Sequence, residues 1–291
     1  MDIVFIANLV VAGIVEGLLI ALAALAMTLV FGVARFPNAA TGDFMAFGAY
    51  AALMAYATAG MPIWLAAAIA ILATAILALV SYRFVFSKLL NRSPVANLLA
   101  SIGVALILRS ALSWYFGSEQ RTFAFPLVRS MNFGGVRIHP TDLAVVGVAL
   151  AALATVFVLL YATPLGRRMR AVADNPLLAR ASGIRSAHVM VALWLIAGGV
   201  SALAGVLLGV KAIVTPEMGF DVLLHIFTAT VLGGIGNPLG AVVGGLVIGI
   251  AQELASPIVG ASYKLAVGFV VLVALLLVRP QGLFGGVEVT R

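Results

Sequence analysis

Apolar residues in this chain run in blocks separated by short polar breaks, with no two-residue alternation. A membrane-crossing helix needs roughly 20 apolar residues with few charges, and the blocks repeatedly meet that demand. The first runs from Asn8 to Val33, broken only by Glu16, and ends in ARFPNAATGDF, Ala34 to Phe44. A shorter block, Phe44 to Ala57, precedes a turn at Gly60–Pro62. The third covers Ile63 to Val80 and emerges into Ser81–Pro94, which carries Arg83, Lys88 and Arg92; the fourth runs from Val95 to Phe116. Gly117 to Asp142 is the longest polar stretch, and its mixed charge and glycines predict an external loop with a short strand pair. The fifth block, Leu143 to Ala162, leads into a basic island, Thr163–Ser186. The sixth, Val189 to Val210, leads into the loop Lys211–Asp221. Val222 to Val278 holds two or three further spans, separated by GGIGNPLG and ASPIVGAS, and the tail carries Arg279 and Arg291.

The pattern predicts an all-α polytopic membrane protein, with about 8–9 transmembrane helices plus short half-helices. Residues 1–291 read as a single transmembrane domain, because no polar stretch exceeds the size of a loop. A barrel would show alternating segments of about 10 residues, and none occurs. Composition agrees: 64% of residues are hydrophobic, 9% are charged, and the mean hydropathy is +1.20. The net charge of +7 is read as the Lys/Arg excess of cytoplasmic loops, with no nucleic-acid partner implied. Placing Ser81–Pro94, Thr163–Ser186 and the tail inside leaves the N-terminus outside and the C-terminus in the cytoplasm. The first block lacks a basic leader and is too long for a signal sequence, so it is expected to remain as a span.

Absence of cysteine removes disulfides, thiolate catalysis and sulfur-ligated metals. The three histidines, His139, His188 and His225, stand apart with no metal-binding spacing. No Gly-Lys pair exists, so the chain has no phosphate-binding loop of its own. Charges at membrane depth default to a cavity or a partner. Arg109, Glu253 and Lys264 are near enough to block ends to snorkel or pair, whereas Glu16 is too short to snorkel and is a candidate for a translocation path. The two interrupted segments supply further candidates: Asn38, Thr41, Gly42 and Asp43 in one, Gly233, Gly234, Gly236 and Asn237 in the other. Non-helical backbone at depth must be buried in protein or line a wet cavity, and helix ends there bind charged substrate groups. Ordinary surface turns are the competing reading. In GAVVGGLVIGIA, Gly240, Gly244, Gly245 and Gly249 fall in GxxxG spacing, which predicts a helix–helix seam.

The basic island has internal architecture. Thr163 followed by Pro164 is a helix N-cap with proline in the first turn, and Asn175–Pro176 repeats the device. Gly183 suits the left-handed stop of the second helix, which is then about 10 Å long and crosses nothing. Leu177, Leu178 and Ala181 give it an apolar face. A topology signal needs charge alone; two capped helix starts point to a docking element for a cytoplasmic partner.

GRRMRAVADNPLLARASGI resembles the cytoplasmic loop of permease subunits in ABC importers for branched-chain amino acids. FTATVLGGIGNPLGAVVGGLVIGI, RPQGLFG and ARFPNAATGDFMAFGAY resemble other signatures of that family, so the likeness covers nearly the whole chain. Its length resembles the shorter of the two paralogous permeases. The resemblance implies that Pro176–Ser182 is a coupling helix and that Gly166, Arg170, Ala171, Asn175, Ala179, Gly183 and Ile184 belong to the ATPase-coupling loop. It also implies two ATP-binding subunits, a paralogous permease, an external substrate-binding protein, surrounding lipid and a bacterial plasma (inner) membrane. It implies no cofactor on this chain, with ATP and Mg held by the partner subunits. Two positions depart from the pattern: threonine stands at Thr41 where histidine is usual, and Glu16 where small residues are. The residues themselves leave open an ion-coupled secondary transporter or channel with Glu16 as the ion site, and the same importer type carrying urea or short amides. A membrane enzyme is disfavoured by the lack of any clustered His, Asp or Ser constellation.

Overall fold

The computed structural model describes residues 3–89, 92–125, 130–133 and 135–285. Helices α1 (Ile3–Ala34), α2 (Thr41–Ala59) and α3 (Ile63–Ser81) come first, α3 continuing through a π-helical turn, Tyr82–Phe86, into the short α4 (Ser87–Leu89). Then follow α5 (Pro94–Phe116), a hairpin of β1 (Met131–Phe133) and β2 (Val136–Ile138), and α6 (Pro140–Ala162). Helices α7 (Pro164–Asp174) and α8 (Pro176–Ala181) form the basic island. The chain continues with α9 (Ser186–Lys211), α10 (Met218–Gly233), α11 (Pro238–Val259) and α12 (Lys264–Val278). The strand pair expected in the Gly117–Asp142 loop is present; the rest of that loop is described only in part, and Arg291 lies outside the described residues.

Six of the described helical segments are long and apolar enough to cross a membrane, fewer than the 8–9 expected. The difference has a physical reason: α10 and α12 are shorter apolar helices, and α2 and α10 begin inside the helix packing. A methyl group built on Gly42, in the first turn of α2, would overlap the carbonyl of Gly219 in the first turn of α10, and the reverse is also true. The two helices therefore meet start to start, backbone against backbone.

Directions follow from the packing. Gly13, Gly17 and Gly32 of the first helix face Ile250, Leu246 and Gly236, so α1 and α11 are antiparallel. Gly198 and Gly199 meet Ala75 and Ile71, while Trp194 stacks on Tyr82 at 5.7 Å, so α3 and α9 are antiparallel as well. Tight turns join α2 to α3 and α10 to α11, making α10 parallel to α1 and α2 parallel to α9. The unit of long helix, break, shorter helix and return helix thus occurs twice, in opposite directions. The breaks match in length, residues 35–40 and 212–217.

Polar groups in both breaks find partners within the chain, as those shielded from water require. In the first, Ala39 N donates to Ser101 Oγ at 3.0 Å, Ala40 N donates to Asn38 Oδ1 at 3.2 Å, and Thr41 Oγ1 donates to the Asn38 carbonyl at 2.7 Å. In the second, Val214 and Arg121 exchange backbone hydrogen bonds of 2.7 and 3.1 Å. Phe36, fully buried, anchors the first break in an aromatic stack with Phe86 (5.4 Å), which stacks in turn on Trp194 (4.6 Å).

The expected glycine seam is two seams. Gly245 and Gly249 face Ala21 and Gly17 of α1, whereas Gly240 and Gly244 face Gly233 and Ala229 of α10. Small residues allow this close approach, which is the main attraction between helices in lipid. Replacing Gly42 by alanine should destabilise the purified protein by about 1–3 kcal/mol, through overpacking. Gly103→Ala and Gly147→Ala, whose methyl groups meet nothing within 4 Å, should be neutral in the same thermal-unfolding assay in detergent.

Candidate coupling surface and translocation site

The basic island is built by local rules. Thr163 Oγ1 accepts from Gly166 N at 3.3 Å and caps α7, while Asn175 Oδ1 accepts from Leu177 N (3.1 Å) and Leu178 N (3.0 Å) and caps α8. At the other end Gly183 takes φ +80°, so its N–H reaches the Arg180 carbonyl (3.0 Å) and the Ile184 N–H reaches Ala179 (3.0 Å). That is the two-bond Schellman closure. The helix stops one residue before the expected Ser182, which is its C-cap.

Residues matching the family loop divide into two groups. Gly166 lies against the Leu159 and Leu160 carbonyls with no room for a side chain. Arg170 donates to the Leu160 carbonyl and lies 5.3 Å over the Tyr161 ring. Ala179 is buried, while Ala171 and Ile184 are half-buried against the core. These residues hold the island to the chain's own helices. Asn175 and Gly183 are exposed and shape the ends of α8. What faces outward is Pro176, Ala181 and above all Leu177 and Leu178, 77% and 64% exposed.

Arg35 joins this island to the first break. It adopts φ +60°, rare for a residue with a side chain, and its guanidinium donates to the carbonyls of Ala173 (2.9 Å) and Asp174 (3.4 Å). Those carbonyls close α7, where the helix leaves acceptors unpaired. Nothing in the sequence around Arg35 signals the contact. Beside it opens a cavity of about 690 Å³, lined by Gly32, Arg35, Tyr161, Arg170, Gly236 and Asn237 among others.

The proposed path residues fall in three places. Asn38, Thr41, Gly42 and Asp43 are buried at the start of α2. The fully buried Asp43 carboxylate accepts two hydrogen bonds from Arg109, from Nε at 3.1 Å and from Nη2 at 3.2 Å. The same guanidinium lies 4.4 Å over the Phe220 ring. Arg109 is therefore neither free nor snorkelling; it closes the junction where α2 and α10 begin. Gly233, Gly234, Gly236 and Asn237 lie at the other end of α10. Gly233 packs on Gly240, Gly234 has φ +104°, and Asn237 caps α11 while donating to the Phe284 carbonyl at 3.1 Å. Only Gly236 and Asn237 of this set line the cavity. Glu16, from the middle of α1, is 3.6 Å from Lys264, which also pairs with Glu253. The sequence singled out all three charges without indicating that they meet.

A bundle of apolar helices with paired charges and broken segments inside it, and a small capped helix outside, fits a membrane translocation subunit. Residues 9–276 match the family described as branched-chain amino acid transport system / permease component, and the chain belongs to it. It is 32% identical to the high-affinity branched-chain amino acid transport system permease protein LivH of Escherichia coli (strain K12), covering 96% of this chain and 95% of that protein. It is 30% identical to the corresponding permease BraD of Pseudomonas aeruginosa, covering 97% and 96%. Among solved structures, PsaBC from Streptococcus pneumoniae in complex with Fab shares the fold, with a TM-score of 0.53, 12% identity and coverage of 95% of this chain and 92% of that one.

Asp43→Asn should lower the yield of folded protein sharply, because Arg109 would lose its counter-charge. Breaking a buried pair on one side typically costs about 3–5 kcal/mol. Asp43→Leu combined with Arg109→Met should recover most of the folded protein, as measured by monodisperse yield in size-exclusion chromatography.

Proposed function

We propose that this chain is the translocation subunit of an ATP-driven importer for branched-chain or other hydrophobic amino acids. Two separate ATP-binding subunits supply the hydrolysis, with ATP and Mg bound on them. A paralogous permease completes the path, and an external binding protein delivers the substrate. The basic island then faces the cytoplasm with the C-terminus, and the N-terminus lies outside, in a bacterial plasma membrane.

The observation that carries this reading is the exposed Leu177–Leu178 pair on a helix too short to pack for itself and rigidly capped at both ends. Exposed adjacent leucines beside Arg167, Arg168 and Arg180 suit a groove in a soluble partner that is apolar at its base and acidic at its rim. Movement of that partner would pass through α7 to Arg35, and from Arg35 into the break before α2. ATP-driven closure would thereby reach the start of α2 and the junction with α10, giving alternating access.

Because Leu177 and Leu178 are mostly exposed, Leu177→Asp with Leu178→Asp should leave the thermal stability within about 0.5 kcal/mol of the parent. The same pair should abolish co-purification of a P-loop ATPase and ATP-dependent leucine uptake. Ala179→Glu should instead lower stability, since Ala179 is buried in the chain itself. Arg35→Gly tests the link differently: it keeps the backbone conformation, so the ATPase should still bind, while uptake falls. Uptake by the chain alone in liposomes, driven by an ion gradient without ATP, would overturn the reading in favour of a secondary transporter.

A further inference from the structure

The cavity of about 690 Å³ beside Arg35 opens where three apolar elements give way to the basic island: the end of α1, the end of α6 and the turn from α10 into α11. Its lining holds two guanidiniums, Arg35 and Arg170, and one carboxylate, Asp174. Neither arginine forms an ion pair among the described residues. Their hydrogen bonds go to backbone carbonyls, those of Ala173 and Asp174 from Arg35 and that of Leu160 from Arg170. These acceptors are neutral, and they engage only Nη2 of the first arginine and Nη1 of the second. Both charges, and the remaining donors, are left for a ligand. Guanidinium forks match the oxygens of a phosphate.

Deeper in the same cavity stands Thr28, about 10 Å from Arg35 along α1 by helical rise. Thr28 is fully buried, and its Oγ1 has no hydrogen-bond partner among the described residues. Thr228 and Ser81, by contrast, bond the carbonyl four residues back, at 2.7 and 2.9 Å. A buried hydroxyl without a partner is costly and calls for an acceptor. The surfaces flanking the cavity are hydrocarbon. On α6, Leu150, Val158 and Tyr161 recur at helical spacing and are exposed, as are Leu239, Val247 and Leu254 on α11. The only charges in those two helices, Asp142 and Glu253, lie toward the ends far from the cavity. Tyr161, at its rim, is of the residue type that marks the boundary between lipid and water.

We propose that this cavity binds the phosphate of an anionic phospholipid from the surrounding membrane. The phosphate lies between Arg35 and Arg170, an ester oxygen accepts from Thr28, and the acyl chains run along the exposed faces of α6 and α11. Basic pockets between spanning helices at the membrane surface hold such headgroups, and the apolar flanks favour a lipid over a soluble phosphate. Because Arg35 also ties α7 to the first break, the bound lipid would brace that link.

The test uses the full chain purified in a neutral detergent, with retained lipid counted by native mass spectrometry. Phosphatidylglycerol should be held at least about tenfold more tightly than phosphatidylcholine of the same acyl chains, since two arginines contribute. Arg35→Gly keeps the left-handed backbone and the seat of Arg170, and should lower that preference about fivefold. Adding Arg170→Gln should abolish it. Arg83→Gln with Lys88→Gln removes as much charge from exposed residues outside the cavity, and should leave it unchanged. Equal retention of the two lipids by the unsubstituted chain, an undiminished preference in Arg35→Gly, or an equal loss in the Arg83 and Lys88 variant would overturn the proposal. Displacement of the lipid by glycerol 3-phosphate at the same concentration would also overturn it, and would assign the site to a soluble phosphate. Where the double cavity variant fails to fold, Arg35→Gly carries the test. None of these readouts needs an ATPase, so the importer reading stands or falls separately.

Discussion

Backbone amides in hydrocarbon have no water to bind, and the architecture follows from where that rule is suspended. The two chain breaks leave helical geometry, the first mostly buried in the bundle and the second half-exposed, and their shielded polar groups must find partners. They do so through Ser101, Asn38 and the Arg121–Val214 exchange, while Gly42 and Gly219 pack backbone against backbone. Glycine is required on both sides because the contact is between backbones. Once that junction is set, α2 and α10 need cross only part of the bundle, and α1 and α9 can pack at the centre with α11 and α3 as antiparallel neighbours. The buried Asp43–Arg109 pair sits at the same point and locks the start of α2 to α5.

The basic island obeys the opposite economy. It lies outside the apolar core, so its form comes from caps and turns, and its link to the bundle comes from a few specific contacts. Gly166, Arg170 and Ala179 seat it on the end of α6 and the start of α9, and Arg35 ties it to the break after α1. Two exposed leucines are left for something else. A seat held by several contacts, with an apolar tip left over, is the form a docking element as proposed above would need.

Legibility in the sequence followed the range of the interactions. Thr163–Pro164, Asn175–Pro176 and Gly183 act on neighbours within a few residues, so the capped helices of the island could be read directly, to within one residue at Ser182. The apolar blocks gave the membrane class for the same reason. The helix count was less legible, because whether α2 or α10 is a full span depends on where each begins in space. Asp43 and Arg109 lie far apart in sequence, and neither announces the other. The residues that match the family's loop illustrate the limit most clearly. Their pattern marks the loop, yet it mixes those that seat the island with those that face outward, a distinction that burial alone reveals.

The equal length of the two breaks has a mechanical meaning. The six-residue breaks 35–40 and 212–217 lead in opposite directions into helices whose first turns touch at Gly42 and Gly219. Under the importer reading proposed above, a small rotation at the Gly42–Gly219 contact would move the far end of α2 and the far end of α10 at opposite faces together. On that proposal, one displacement would open one side of the bundle while shutting the other.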